Sequence, residues 1–182
     1  MSEYINTLKL KMNSEEAWKI AEKKGDWLWN LVFRNLPLTR LQLMYIEYEI
    51  ISIKTVGRPA LLSRIRGRSK PICKRMDILV NGTTGGVALI ADQNLQFERI
   101  EITDNINLQS AGFDQDEAIK RAKMLAHKIT HRSMGGMHEA EIVNFKSVYR
   151  PFYVAFYGDM SEGNKVRYIT IPADGGQSHR AR

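Results

Sequence analysis

The chain has 182 residues, of which 43% are hydrophobic, and a net charge of +7 at pH 7. This length fits one domain or two small modules, and no apolar run approaches the roughly 20 residues that span a bilayer. Cys73 is the single cysteine of the sequence, which excludes an internal disulfide. The charged, alternating N-terminus differs from a signal peptide. These features predict a cytoplasmic protein.

The positive charge favours an anionic partner, which is a nucleic acid, an acidic protein face or a membrane surface. The alternative is a basic protein without such a partner, because net charge influences association and not fold.

The first elements follow from periodicity and helix signals. The alternating segment Tyr4–Met12 predicts a short strand. Asn13 or Ser14 offers an N-cap for a helix that Gly25 ends or bends. The segment Trp27–Phe33 is dense in apolar residues and predicts a short buried helix, with a partner or membrane surface as the alternative.

A long strand is predicted over Leu41–Val56, which is rich in β-branched and aromatic residues. Its alternation places Met44 and Ile46 on one face with Tyr48 and Ile50, while Glu47 and Glu49 point the other way.

Residues 57–75 form a basic insertion, because no acidic residue occurs between Ile50 and Met76. Its glycines and prolines predict a loop or an arm and not a helix. An extended arm would place alternate cations on one side, which suits a phosphate backbone or an acidic protein groove. A solvated loop is the alternative. The candidate anion-binding or partner-binding residues are Arg58, Arg64, Arg66, Arg68, Lys70, Lys74 and Arg75.

The next segments predict a hairpin and a change of charge. Met76–Ala91 consists of two apolar runs joined by Thr83-Thr84-Gly85-Gly86, which predicts two buried strands and a tight turn. Asp92–Glu117 is acidic and would be able to fold against the basic insertion and neutralise part of it.

The second half repeats this order. A helix that follows Phe113-Asp114-Gln115-Asp116 places Ala118, Ala122, Leu125 and Ile129 on one face. Ser147–Tyr157 and Val166–Ile171 predict strands, and Gln177–Arg182 predicts a frayed basic tail.

Two paired signals suggest an internal duplication. Glu16-Ala17-x-Lys19-x-Ala21 matches Glu117-Ala118-x-Lys120-x-Ala122, and Gly85-Gly86 matches Gly175-Gly176. The predicted fold is therefore α+β, with two tandem helix-plus-antiparallel-hairpin units that share a sheet or pack together. The predicted modules are residues 1–91, which carry the basic insertion, and residues 92–182.

No constellation of residues predicts catalysis, a metal or a cofactor. His127 and His131 are four residues apart and His138 follows, but the helical spacing turns the first two away from the core stripe, beside lysines. No glutamate between them completes a metalloprotease motif. Cys73 lies among cations that would lower a thiol pKa, but no positioned base accompanies it. The glycine pairs lack the Lys-Ser/Thr helix start of a phosphate-binding loop.

Asp116–Gly176 resembles a PepSY-type module, which is one helix followed by a hairpin. The residues that carry the resemblance are Tyr153, Val154, Phe156, Val166, Ile169, Asp174, Gly175 and Gly176. The resemblance implies a cystatin-like α+β fold and a non-catalytic role in regulating a peptide or protein.

The sequence as a whole predicts a non-enzymatic cytosolic binding or regulatory protein. A nucleic-acid-binding protein that uses residues 58–75 is one alternative, and an enzyme whose site the sequence does not reveal is another. A protein or other anionic partner is favoured, with nucleic acid as the second choice. No membrane span and no cofactor are expected, and the oligomeric state is open.

Overall fold

A computed structural model describes residues 3–26, 36–57, 72–90, 95–104, 106–134, 138–159, 161 and 166–175. In this part of the chain there are two helices and eight strands. In chain order they are β1 (Tyr4–Leu8), α1 (Ser14–Asp26), β2 (Leu38–Gly57), β3 (Ile72–Asn81), β4 (Val87–Leu89), β5 (Phe97–Glu101), β6 (Asn107–Gln109), α2 (Gln115–Met134), β7 (His138–Tyr157) and β8 (Arg167–Pro172). Within these ranges neither helix is long and apolar enough to cross a bilayer. The segments Trp27–Phe33 and Gln177–Arg182 lie outside the described residues.

The strands form one mixed sheet. Their order is β4-β3-β2-β7-β1-β5, with β6 paired to β2 and β8 paired to β7. Strand β1 runs parallel to β7, and β6 runs parallel to β2. The other pairs with a defined register, which include β2–β3 and β7–β8, are antiparallel. The predicted architecture of two tandem helix-plus-hairpin units is therefore wrong.

The chain divides into two compact units, and each draws on both halves of the sequence. Unit 1 comprises residues 1–46, 95–109 and 149–178, and unit 2 comprises residues 47–94, 110–148 and 179–182. The two long strands, β2 and β7, each contribute one part to either unit.

Unit 1 is built around α1. Asn13 caps this helix: its Oδ1 accepts from the Glu16 N–H at 2.8 Å, and a Glu16 carboxylate oxygen accepts from the Asn13 N–H at 3.1 Å. Ala17 and Ala21 are fully buried against the β7–β8 hairpin. The Tyr157 hydroxyl donates to the Ala21 carbonyl at 2.8 Å, which fixes the helix on the strands.

Unit 2 is built around α2, for which Asp114 is the N-cap. Its Oδ1 accepts from the Glu117 N–H at 2.8 Å. The helix buries Ala118, Ala122 and Ala126. The strand residues of this core belong to β2 and β3 and are Ile51, Ile53, Met76, Ile78 and Val80.

The error in the predicted architecture concerns which strands each helix covers. The prediction paired each helix with the hairpin that follows it, whereas α1 packs on β7–β8 and α2 packs on β2–β3. Both helices present an alanine stripe, and both hairpins present alternating apolar residues. Periodicity shows that an element has an apolar face but does not specify its partner, so the two pairings could not be distinguished.

Candidate anion-binding surface

The predicted strand–turn–strand arrangement is confirmed by β3 and β4, but β4 is not buried, since Leu89 is exposed. The Asn81 Oδ1 accepts from the Thr83 N–H and the Thr84 N–H, both at 2.9 Å, and from the Thr83 hydroxyl at 2.7 Å. Gly85 has a φ of 66°, a conformation that glycine adopts without a steric penalty. At the same position β3 pairs with β2, since Asn81 lies opposite Tyr48.

Strands β2 and β3 pair to form an antiparallel ribbon. The end of this ribbon opposite Asn81 leads into the predicted basic insertion. Gly57 is paired with Ile72, so residues 58–71 join two strand ends that lie next to each other. Lys74 and Arg75, which belong to the predicted contact residues, lie on β3 close to this end. The other predicted contact residues lie outside the described part of the chain and are Arg58, Arg64, Arg66, Arg68 and Lys70.

Cations occupy both faces of the ribbon near the insertion. Lys54 lies directly opposite Arg75, and both residues are exposed. Like charges at directly opposed positions destabilise a sheet, and neither residue forms an ion pair within the described ranges. Lys74 lies opposite Thr55, on the face that packs against α2. An anionic partner would offset the repulsion between Lys54 and Arg75.

The C-terminal half of α2 brings further positive charge to this end of the ribbon. The Thr130 hydroxyl donates to the Thr55 hydroxyl at 3.3 Å, and both residues are fully buried. No acidic residue occurs from Ala118 to Met134. Lys128 and Arg132 are exposed on this part of the helix. We call the following set the basic end of unit 2: Lys54, Lys74, Arg75, Lys128 and Arg132.

Three acidic residues between positions 92 and 117 have local partners: Glu98, Asp114 and Glu117. A Glu98 carboxylate oxygen accepts from the Leu10 N–H at 3.2 Å within unit 1. Asp114 caps α2, and a Glu117 carboxylate oxygen accepts from the Arg121 Nε at 2.8 Å. Since the arm itself is not described, neutralisation of the basic insertion by this stretch stays a prediction.

Three histidines come together beside the basic end. His127 and His131 are exposed on α2, as the helical spacing predicts, and His138 begins β7. The ring centroid of His138 lies 4.9 Å from that of His127 and 6.4 Å from that of His131. No group of three side chains among the described residues has the geometry of a metal site. Cys73 is exposed and lies opposite Val56 in the ribbon.

A buried carboxyl group lies closer to the N-terminus of α2. The Glu47 carboxylate accepts from the Ala111 N–H at 2.8 Å and from the Ser147 hydroxyl at 2.7 Å. Glu49 is only 8% exposed, and its Oε2 has no hydrogen-bond partner in the described part of unit 2. Burial, and then repulsion by Glu47 and Asp114, raise the pKa of the Glu49 carboxyl.

The prediction that Glu47 and Glu49 share a face of β2 agrees with the strand alternation, but this face is not solvated. It is the face of Ile51 and Ile53, which pack against α2. Strand alternation alone therefore does not indicate that Glu49 is a buried acid. It also does not show that Thr55 and Thr130 are in contact. The absence of acidic residues after Glu117, however, does indicate a cationic helix.

Comparisons with known proteins give no assignment. No protein-family model matches the chain, and no curated protein and no solved structure matches it. The resemblance to PepSY-type modules stays a prediction.

Proposed function

We propose that this chain is a non-enzymatic nucleic-acid-binding protein whose contact surface is the basic end of unit 2 together with the insertion at residues 58–71. The observation that carries the proposal is the directly opposed pair Lys54–Arg75, which is exposed and has no ion-pair partner among the described residues. The cationic half of α2 lies beside the same end of the ribbon through the Thr55–Thr130 contact. A phosphate backbone supplies the negative charge that this arrangement lacks.

The composition of the surface favours nucleic acid over an acidic protein. Protein–protein interfaces have an apolar core and are depleted in lysine, whereas protein–DNA interfaces are more polar and much more positive. Three of the five residues of the basic end are lysines: Lys54, Lys74 and Lys128. Contacts of lysine with phosphate position a protein on a nucleic acid without reading its sequence. We therefore expect binding that depends weakly on base sequence.

A cytoplasmic location is part of this proposal. The single cysteine, Cys73, is exposed and permits no internal disulfide, which suits a reducing compartment.

Binding of a labelled DNA duplex and of a labelled RNA of equal length, measured by fluorescence anisotropy from 50 to 300 mM salt, tests the proposal. Affinity should fall steeply with salt, with a logarithmic slope of about 0.9 for each phosphate contact on B-form DNA. The double variant Lys54→Ser/Arg75→Ser should reduce this slope by about 2. A fourfold variant of the arm, with serine at Arg64, Arg66, Arg68 and Lys70, should reduce it further.

The matched control is Lys9→Ser/Lys19→Ser, which removes the same charge from two exposed positions of unit 1. It should leave the affinity and the salt slope close to those of the wild type. If the control weakens binding as much as Lys54→Ser/Arg75→Ser, net charge and not this surface is responsible. If the wild type binds neither DNA nor RNA at 50 mM salt, the proposal is wrong. An acidic protein is then the next class of partner to test.

A further inference from the structure

The cations of unit 2 lie on two sides that point in opposite directions. Thr55 faces α2, where its hydroxyl accepts from the Thr130 hydroxyl at 3.3 Å. Lys54 precedes Thr55 on β2 and therefore points to the other face of the sheet, as does Arg75, which lies directly opposite it. Both cations are exposed. We call Lys54 and Arg75 the ribbon side of unit 2.

Four further cations lie on the sides of α2 that the core leaves open. The helix buries Ala118, Ala122 and Ala126 against the sheet. The four cations are exposed or half-buried, and the first and last are about 18 Å apart along the helix axis, at about 1.5 Å per residue. We call the following set the helix side of unit 2: Lys120, Lys123, Lys128 and Arg132.

The helix side carries more positive charge than its acidic neighbours offset. The Lys120 Nζ lies 4.0 Å from the carboxylate of Glu117, which also accepts from the Arg121 Nε at 2.8 Å. One carboxylate is therefore shared by two cations. After Glu117 the sequence has no acidic residue until Glu139. A chain of phosphates along α2 would supply the missing negative charge.

Acidic residues on the ribbon side do not pair with its two cations. Asp77 lies on the same face of β3 and accepts from the Ser52 hydroxyl at 2.5 Å. Glu139 and Glu141 are exposed on β7 and alternate with residues that pack against α2, so they also point away from the helix. None of these carboxylates forms an ion pair with a ribbon-side cation in the described ranges. The ribbon side is therefore also open to an external anion.

A single short duplex cannot contact both sides. A helix with its side chains is about 10–12 Å across, so the helix side lies about that distance from the sheet and faces the other way. DNA has a persistence length of about 150 base pairs, and bending a site of 20–30 base pairs by even 40–90° is costly. Contact with both sides would require a far sharper turn. A duplex of about 20 base pairs therefore occupies one side and leaves the other free.

An anionic membrane is the other surface that a cationic helix suits. Helices that lie in a membrane interface insert large apolar side chains, such as tryptophan, phenylalanine and leucine. The apolar stripe of α2 is instead covered by the core of unit 2. Among the described residues of the helix, Met124 is the one large apolar side chain that is exposed. Nucleic acid is therefore the better fit for the helix side.

We propose that unit 2 holds two nucleic-acid segments at once, one on the ribbon side and one on the helix side, and so bridges two duplexes. The inference rests on the proposed function, because that function places nucleic acid on the ribbon side. Contacts of lysine and arginine with phosphate do not read base sequence. The two duplexes therefore need not share a sequence.

Energy transfer between two duplexes of about 20 base pairs, one with a donor label and one with an acceptor label, tests the inference. With the wild type, transfer should be highest near one protein per two duplexes. It should fall again in excess protein, because each duplex then has a protein of its own. Anisotropy of one labelled duplex, measured in parallel, reports binding as such.

Two variants address the two sides separately. Lys120→Gln/Lys123→Gln changes the helix side, and glutamine keeps a helix propensity close to that of lysine. This variant should lose most of the energy transfer, while anisotropy still reports binding of one duplex. Lys54→Ser/Arg75→Ser should also lose most of the transfer, because only the helix side then remains.

The matched control is Lys19→Gln/Lys23→Gln, which removes two exposed lysines one turn apart on α1 of unit 1. It should keep the energy transfer of the wild type. If the control loses transfer as strongly as Lys120→Gln/Lys123→Gln, net charge is responsible and the inference is wrong. Circular dichroism of each variant confirms that folded proteins are compared.

The other outcomes separate this inference from the proposed function. If the wild type binds a duplex but gives no transfer at any ratio, or if transfer persists in Lys120→Gln/Lys123→Gln, the second surface is refuted and nucleic-acid binding stands. If that variant binds no duplex at all, the two sides act as one surface and the inference is wrong. If it loses binding to vesicles of anionic lipid and keeps the transfer, the helix side is a membrane surface. No duplex binding by the wild type refutes both proposals.

Discussion

Replacing Glu49 with glutamine should stabilise the protein above neutral pH. The carboxyl is 8% exposed, and its Oε2 has no hydrogen-bond partner among the described residues. Burial and repulsion by Glu47 and Asp114 raise its pKa. A group with a raised folded-state pKa contributes stability that is complete below its unfolded pKa and is lost as the pH rises through the folded pKa. Relative to the glutamine variant, the wild type therefore becomes less stable as the pH rises from 4 to 8.

The size of the stabilisation follows from the charge of the Glu49 carboxyl at each pH. Leaving a buried polar group without a partner costs about 1–3 kcal/mol, and more when the group is charged. Glutamine has nearly the same shape and also lacks that partner but carries no charge, so Glu49→Gln removes only the extra cost of the charge and should raise the free energy of unfolding by about 1 kcal/mol at pH 8. Near pH 4 the wild-type carboxyl is protonated, and the difference should shrink to less than about 0.5 kcal/mol. In a protein of this size each kcal/mol shifts the melting temperature by about 2–4 °C.

Urea titrations from pH 4 to pH 8 measure both free energies. The matched control is Glu47→Gln, two positions earlier on the same face of β2. Its carboxylate accepts hydrogen bonds from the Ala111 N–H and the Ser147 hydroxyl, so this variant should be less stable than the wild type at pH 8. If Glu49→Gln destabilises the protein at pH 8, or changes stability equally at every pH, the reasoning about the buried carboxyl is wrong.

Three further changes test other parts of the structure by the same urea titration. Asp174→Asn should cost about 3 kcal/mol, because it leaves the buried Arg150 guanidinium without the carboxylate that it contacts at 2.8 and 3.1 Å; a loss below about 1 kcal/mol would show that this pair is not important. Gly85→Ala should cost about 1–2 kcal/mol, since φ is 66° and a Cβ would clash with the Arg121 guanidinium. Gly112→Ala, whose Cβ would meet no atom within 4 Å, serves as the control. Lys54→Glu should stabilise the ribbon by about 0.2–1 kcal/mol by creating an opposed pair of unlike charges, and should weaken nucleic-acid binding; a stability loss would contradict the unfavourable cation pair.

Local features of the fold could be predicted from local sequence. Asn13 as an N-cap, the buried alanine positions of both helices and the turn at Asn81–Gly86 all depend on residues within a few positions of each other. Propensity, capping and turn chemistry act over that range. These predictions are confirmed. The two 20-residue strands were predicted too short, because β7 begins at His138, nine residues before the predicted start at Ser147, in a stretch rich in polar and charged residues.

The pairing of distant elements could not be predicted in the same way. Nothing near Ala17 or Ala21 indicates that the strands covering them include Tyr153 and Ile171, more than a hundred residues later. Each apolar stripe is compatible with either hairpin, and the choice depends on side-chain packing across the interface. A single sequence carries no direct signal of such packing.

The candidate surface also depends on contacts between residues that are far apart in the sequence. The residues of the basic insertion were visible as a run without acids, and Lys74 and Arg75 indeed lie where that run joins β3. The contribution of α2 depends on the contact between Thr55 and Thr130, which are 75 positions apart. No local sequence signal joins these two positions. The same is true of the histidine cluster, because His138 belongs to a different element from His127.

The division of the two long strands between the units has a consequence for biosynthesis. Unit 1 needs residues 1–46 and also β8, which ends at Pro172, so Ala17 and Ala21 lack the β7–β8 strands of their core until nearly the whole chain has been translated. At about 5–20 residues per second this interval lasts on the order of 10 s. During this interval Ala17 and Ala21, which are fully buried in the folded protein, are without the β7–β8 part of their core. Fragments 1–91 and 92–182, expressed separately, should each remain unfolded and regain structure only when mixed.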